Sequence, residues 1–229
     1  MDYIHDRNSN ILFSLHDSRV NKIEYHNNTL TLKVHKIFQF VEVKKMNIKF
    51  ENIKIREAEI SDANILTNWW NDGKVMAHAG FPRGLGTNIK EVEKQIKSYE
   101  GKLGKLCIIE IGNIPIGEMS YGIVDGFAEV GWKLCDENFQ NKGYGTKIIN
   151  KTFEFIFNDK KINDAVNIEK IIWDTNLDNK RAQKVYEDKV HAIRVKVEKD
   201  AWEDQNGELQ SSVLYEMPRE RFEKLHKDN

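Results

Sequence analysis

Gln140-Asn141-Lys142-Gly143-Tyr144-Gly145, running into Thr146-Lys147-Ile148-Ile149, is the stretch on which the reading of this chain turns. Glycines at 143 and 145, at the start of a helix, let bare backbone approach a ligand. The unpaired N–H groups of a first helical turn, with the helix dipole behind them, favour an anion there. The helix that follows carries Ile148, Ile149, Thr152, Phe153, Ile156 and Phe157 at helical spacing, an apolar face suited to lying on a sheet. A phosphate cradle opening a sheet-packed helix is the first expectation. Glycines at such a turn also serve tight packing, so the flanking pattern has to decide between the two.

Upstream, residues 106–111, 116–123 and 128–135, separated by Gly112-Asn113 and Asp125-Gly126, read as three successive antiparallel strands. In the third, Val130, Trp132 and Leu134 face one side and Glu129, Gly131 and Lys133 the other. Before them come a strand at 52–57 and a helix with Ile65, Leu66, Trp69 and Trp70, capped by Ser61 and ending at Asp72-Gly73. A glycine-containing loop at 77–87 leads to a second helix, with Ile89, Val92, Ile96 and Tyr99, capped by Thr87 or Asn88. Downstream, residues 170–174 read as a buried strand, which after a helical crossover should run parallel to its neighbour. Residues 176–187 read as a short helix. A last hairpin joins 192–197 to 211–217 through Asp204-Gln205-Asn206-Gly207. The order predicts a mixed α/β domain.

The chain of 229 residues can hold one large domain with a real core and a small module. Its 35 Lys and Arg against 36 Asp and Glu give no global field to recruit nucleic acid or an anionic membrane, so neither is an expected partner. Cys107 and Cys135 suit a reduced, cytoplasmic protein, both thiols packing in the core. No apolar run approaches the roughly 20 residues of a membrane span, and the amino terminus lacks a signal-peptide layout. Residues 1–48 read as a small β-hairpin module: 20–25, a turn at His26-Asn27-Asn28, then Leu30, Leu32 and Val34, with an apolar tail Ile37-Phe38-Gln39-Phe40-Val41. A lone hairpin is marginal in water, so the module is expected to pack on the main domain, residues 49–229, or on the second subunit of a homodimer. His5, His16, His26 and His35 lack metal-ligand spacing, and no metal is expected. No Lys-Ser/Thr follows the glycines, which disfavours a nucleotide triphosphate with magnesium.

A second motif decides the matter. Asn179, Ala182 and Tyr186 fit an Asn-x-x-Ala-x-x-x-Tyr helix, and Gln140, Gly143 and Gly145 fit a Gln/Arg-x-x-Gly-x-Gly/Ala turn. In this order of elements, residues 52–217 resemble the GNAT superfamily of acetyl-CoA-dependent N-acetyltransferases. Glu129-Val130-Gly131-Trp132 and Trp69-Trp70 look most like the branch containing ribosomal-protein and aminoglycoside 6′-N-acetyltransferases. The chain departs from the family where Asp188-Lys189-Val190-His191 replaces a Lys-Leu-Gly-Phe-like turn.

The resemblance implies a mostly antiparallel central sheet with a V-shaped split between its fourth and fifth strands, helices on both faces, and acetyl-CoA as donor. Its pyrophosphate would lie on backbone N–H groups around Asn141, Lys142, Gly143, Tyr144, Gly145 and Thr146, beside Gln140. The pantetheine arm would run between the splayed strands, with Asn179 bonding it or holding the cleft closed. Tyr186 resembles the family's general acid. Glu129 is the first choice of base and Asp174 the reserve, and a backbone N–H of Leu134 or Cys135 would polarise the carbonyl. A primary amine is the implied acceptor, a small molecule slightly before a protein α-amine because Glu57, Glu59 and Asp72 could meet a cation. The alternative is a non-catalytic acyl-CoA-binding or regulatory protein.

Overall fold

The computed structural model describes residues 12–14, 20–26, 29–34, 38–40 and 45–227. They belong to two units, Met1–Lys45 and Met46–Asn229. In the first, β1 (Leu12–Ser14), β2 (Val20–His26), β3 (Thr29–Val34) and β4 (Phe38–Phe40) form antiparallel pairs, β2 with β3 and β1 with β4. The two alternating runs therefore pair with each other. Asn27 and Asn28 of the expected turn, together with His5, His16, His35, Ile37 and Val41, lie outside the described residues.

The second unit runs β5 (Asn47–Phe50), β6 (Ile53–Glu57), α1 (Ala63–Asn71), α2 (Gly73–Met76), α3 (Ile89–Lys97), β7 (Lys105–Ile111), β8 (Ile114–Val124) and β9 (Phe127–Leu134). It continues with α4 (Tyr144–Asn158), α5 (Lys160–Ala165), β10 (Lys170–Asn176), α6 (Lys180–Lys184), β11 (Ile193–Glu203), β12 (Leu209–Pro218) and α7 (Arg219–Lys227). The eight strands form one sheet in the order β11-β12-β10-β9-β8-β7-β6-β5. Every neighbouring pair is antiparallel except β9 with β10, which follows a helical crossover and is parallel. The mixed, mostly antiparallel sheet is thus as expected.

Alternation along the strands builds a core on each side. Leu106 and Ile108 of β7 pack with Ala63 and Leu66 of α1 and Val92 and Ile96 of α3 on one face. On the other, Met119, Tyr121, Val130 and Trp173 pack with Ile148, Phe153, Ile156 and Phe157 of α4 and Phe222 of α7. Arg219 ties this second layer together, donating to Ile168 O at 2.8 Å, Phe157 O at 2.7 Å and Asn163 Oδ1 at 2.6 Å. Among the described residues no helix is long and apolar enough to cross a membrane, and no cluster of His, Cys, Asp and Glu could hold a metal ion.

Three expectations change. Ser61 does not cap α1; it lies in a 3₁₀ turn, Ile60–Asp62, in which Asp62 accepts the Glu59 N–H at 2.7 Å and the Arg56 guanidinium. A carboxylate able to take both donors displaces the hydroxyl as the organising group. The helix expected at 176–187 begins at Lys180, because β10 continues to Asn176 by pairing with Ser212. Residues 47–50, placed at the module boundary by the sequence, are an edge strand of the large sheet. Residues 219–227, for which the sequence pattern suggests no element, form α7, whose apolar contribution is concentrated in Phe222 and Leu225.

Candidate active site

The parallel ladder between β9 and β10 pairs residues 127–129 with 170–172 and stops there, although both strands continue. Beyond Glu129 and Ile172 the strands part, leaving the β10-facing edge of β9 without a partner strand. Which amides line that edge follows from the other side of β9. Cys135 donates its N–H to Ile116 O at 2.9 Å, and bonded and non-bonded pairs alternate along an antiparallel ladder. Leu134, opposite Gly117, and Trp132, opposite Met119, therefore turn their N–H groups toward the opening. Of the two amides expected to meet a carbonyl oxygen, Leu134 remains. That of Cys135 is spent on Ile116. The Cys135 thiol is buried, and burial pushes it up to about 12, as suits a packing residue.

From the end of β9 the chain makes a short turn into α4. Asn141 and Gly143 both lie in the left-handed region, with φ of 58° and 79°, and Gly143 is the residue before the helix. The first-turn N–H groups, including those of Tyr144, Gly145 and Thr146, have no intrahelical acceptors. Gly145 is helical, and a Cβ on it would find Leu134 Cδ1 as its nearest neighbour at 3.9 Å. Gly117 differs: its Cβ would sit 2.1 Å from Lys133 O, so the β8–β9 contact itself demands glycine. The chain has no such need at 145. The cradle therefore has room that a side chain would fill, which fits a bound phosphate group. Lys142 is exposed at its rim, while Lys147 is paired with Glu51 at 2.8 Å.

Gln140 is used inside the chain. Its Nε2 donates to Leu134 O at 2.9 Å and its Oε1 accepts from Arg181 at 2.8 Å, stapling the end of β9 to α6. The role of Arg181 was missed by sequence reading, although a basic residue inside the Asn-helix motif is the kind of signal that points to it. Asn179 caps α6, accepting from Ala182 N at 3.2 Å while its Nδ2 meets Thr175 Oγ1 at 3.3 Å. Both motif residues thus hold the turn and the helix on opposite sides of the opening.

Tyr186 follows α6 in a wide π-helical turn, Val185–Lys189, an irregularity often found at functional sites. Its ring stands edge-on to Trp173 at 5.5 Å and to Tyr215 at 5.2 Å. Burial first, and the nearby charge of Asp174 second, push its phenol up to about 12, so it holds its proton at neutral pH. Trp173 is buried, and its indole N–H has no partner among the described residues. Asp174, on the next position of β10, is also raised, by burial first and then by repulsion from Glu198.

Glu129 is exposed, on the sheet face that carries α1 and α3, whereas Val130 and Trp132 pack under α4 with Tyr186. The two reactive candidates therefore lie on opposite faces beside one opening. The carboxylates expected to meet a cation near α1 are engaged in the chain: Glu57 accepts from Met46 N at 2.7 Å, Asp72 from Lys74 N at 2.8 Å, and Glu59 shares the capping turn with Asp62.

A family model described as an acetyltransferase (GNAT) domain matches residues 52–188. An uncharacterized N-acetyltransferase, p20, of Bacillus licheniformis is 25% identical over 123 residues, covering 49% of this chain and 67% of that protein. The spermidine N-acetyltransferase of Vibrio cholerae, solved with CoA and spermine, has the same fold with a TM-score of 0.64 at 16% identity, over 75% of this chain and 98% of that one. A ribosomal L7/L12 alpha-N-protein acetyltransferase, solved with coenzyme A, gives a TM-score of 0.65 at 18% identity, over 77% and 99%.

Proposed function

The chain belongs to the GNAT acetyltransferase family, and on that premise we propose that it moves the acetyl group of acetyl-CoA to a primary amine by direct attack, without a covalent enzyme intermediate. The observation that carries this reading is the Gly143–Gly145 cradle, with room at 145 that the chain itself does not need, next to the opening between β9 and β10.

Acetyl-CoA supplies the activated acyl group. The amides of residues 142–146 hold its pyrophosphate, and the free edge of β9 pairs with the pantetheine arm as a strand would. The Leu134 N–H is the donor nearest the acyl oxygen and stabilises charge that develops there. Glu129, through water, takes the proton that the acceptor's ammonium sheds; Asp174 is the second candidate for this task. As the C–N bond forms the nitrogen sheds its second proton to water, and Tyr186 gives its proton to sulfur as the C–S bond breaks and regains one from solvent. A base on one face and an acid on the other keep the two proton transfers apart.

Spermidine and a ribosomal-protein α-amine, named with the two similar structures, stand for the two acceptor classes to be separated. Thiol release from acetyl-CoA is measured with spermidine, with kanamycin and with a peptide bearing a free α-amine. Turnover with at least one, and a fall of about a hundredfold or more in kcat for Tyr186→Phe with coenzyme affinity retained, is the expected outcome. Coenzyme binding without turnover on any of the three would identify a non-catalytic acyl-CoA-binding protein instead.

A further inference from the structure

Gly131 sits where the strands part, two positions past Glu129, the last residue of β9 paired with β10. It faces the side of α1 and α3, the side of Glu129, and it is exposed. Its backbone is that of an ordinary strand residue, and a Cβ built on it would have Ser120 Oγ as its nearest neighbour, at 3.9 Å. A glycine in mid-strand weakens the strand and loses a side chain that could pack. Neither conformation nor crowding within the chain accounts for it, in contrast to Gly117 in the same ladder.

The surroundings of this gap are polar and held in place. Ser120 stands directly across from Gly131 in the β8–β9 register. Behind it, Tyr99, half-buried after the end of α3, turns its hydroxyl toward Gln95 and Ser120, and burial first, then the charge of Glu118, keeps that phenol protonated. One step further along the same face, buried Glu118 is neutralised by Lys133 at 2.8 Å and accepts from Trp70 Nε1 at 2.8 Å. The wall beyond Gly131 thus carries hydroxyl groups, and the ammonium and carboxylate beside it are already paired with each other.

Resting on the acetyl-transfer reading, we infer that Gly131 is the clearance through which the acceptor amine reaches the acyl group, and that the Tyr99 and Ser120 hydroxyls hold the acceptor across that gap. Gly131 is then a specificity-determining residue, because any side chain at this position occupies the space of the incoming nitrogen and its carbon. Tyr99 and Ser120 act on the acceptor and leave the donor alone.

The test uses the full chain, with spermidine, kanamycin and the free α-amine peptide as acceptors, and measures amine kinetics and acetyl-CoA affinity separately. With whichever acceptor turns over, Gly131→Val is expected to lower kcat/KM for the amine at least tenfold, Gly131→Ala by less, and Tyr99→Phe to raise the amine KM about threefold or more. Acetyl-CoA affinity should stay within twofold in all three variants. Tyr99→Phe removes a single oxygen and the gap at 131 has room for a Cβ, so at least these two variants should fold. Amine kinetics unchanged in both would overturn the inference, as would a coenzyme affinity that falls in step with amine kinetics. Wild-type protein that turns over none of the three amines would sink the acetyl-transfer reading first and this assignment with it.

Discussion

Arg56 shows how much of this fold rests on single charged residues in the right place. Its guanidinium meets Asp62 at 2.7 Å and Glu110 at 2.7 Å, and Lys54 adds a second cation to Glu110 at 3.0 Å. Burial pushes both carboxyls up, but the hydrogen bonds and charge of Arg56, aided by Lys54, outweigh it and hold both below their ordinary values. For a group depressed in the folded state the stabilisation is present above the unfolded value and is lost as pH falls through the folded one. Chemical denaturation should therefore show stability declining once pH drops below about 4, the ordinary carboxylate range. In Asp62→Ala the decline should be shallower and the starting stability at pH 7 lower by about 3 kcal/mol, since the variant leaves a partly buried guanidinium underpaired. The alternation of Ile53 and Ile55 with Lys54 and Arg56 puts Arg56 on the more polar side of its strand, and the structure has it there. The partner on β7 is 54 positions away, and strand alternation cannot say which charge a neighbouring strand will bring.

At the scale of the element, the turn into α4 separates two uses of glycine. Gly143 is required by its φ of 79°, so Gly143→Ala should cost about 1–2 kcal/mol in thermal or chemical unfolding. Gly145 is helical with free space around it, so Gly145→Val should unfold close to wild type while losing at least tenfold in coenzyme A affinity by calorimetry. Equal affinity in Gly145→Val would mean that the cradle holds no phosphate. The helix, its apolar face and the glycine pair were legible because helical periodicity and a left-handed entry are local properties. The boundary between β10 and α6 was not: Asn176 fits a helix start by sequence, but pairing with Ser212 on β12 extends the strand through it. Ser61 failed as a cap for a related reason, because Asp62 has a tertiary partner that a hydroxyl could not serve. Asn88 succeeded, its capping box with Glu91 lying wholly within four residues.

Over the whole second unit, the sheet order could be anticipated wherever one strand leads to the next by a short turn. β5 and α7, the first and last pieces, could not, since a four-residue strand and a helix with few apolar residues carry little pattern of their own. The outer strand β11 exposes Val195 and Val197, yet its register slips at Arg194/Lys196 and again at Glu198/Trp202, irregularities that blunt an open edge against strand addition. The opening between β9 and β10 has a further consequence, for the motions of the unit. Three residue pairs are all that join the strands on its two sides by a ladder, with helices of the α4 layer packed across the seam. The seam should act as a hinge whose amides, Trp132 and Leu134 among them, exchange their hydrogens with solvent early in the free protein. A coenzyme bound there would serve as an absent ninth strand, slowing that exchange and raising the unfolding free energy by about 2.7 kcal/mol at a hundredfold excess over its Kd. Exchange at Trp132 and Leu134 that stays the same with coenzyme A present would show that the two halves of the sheet are already locked.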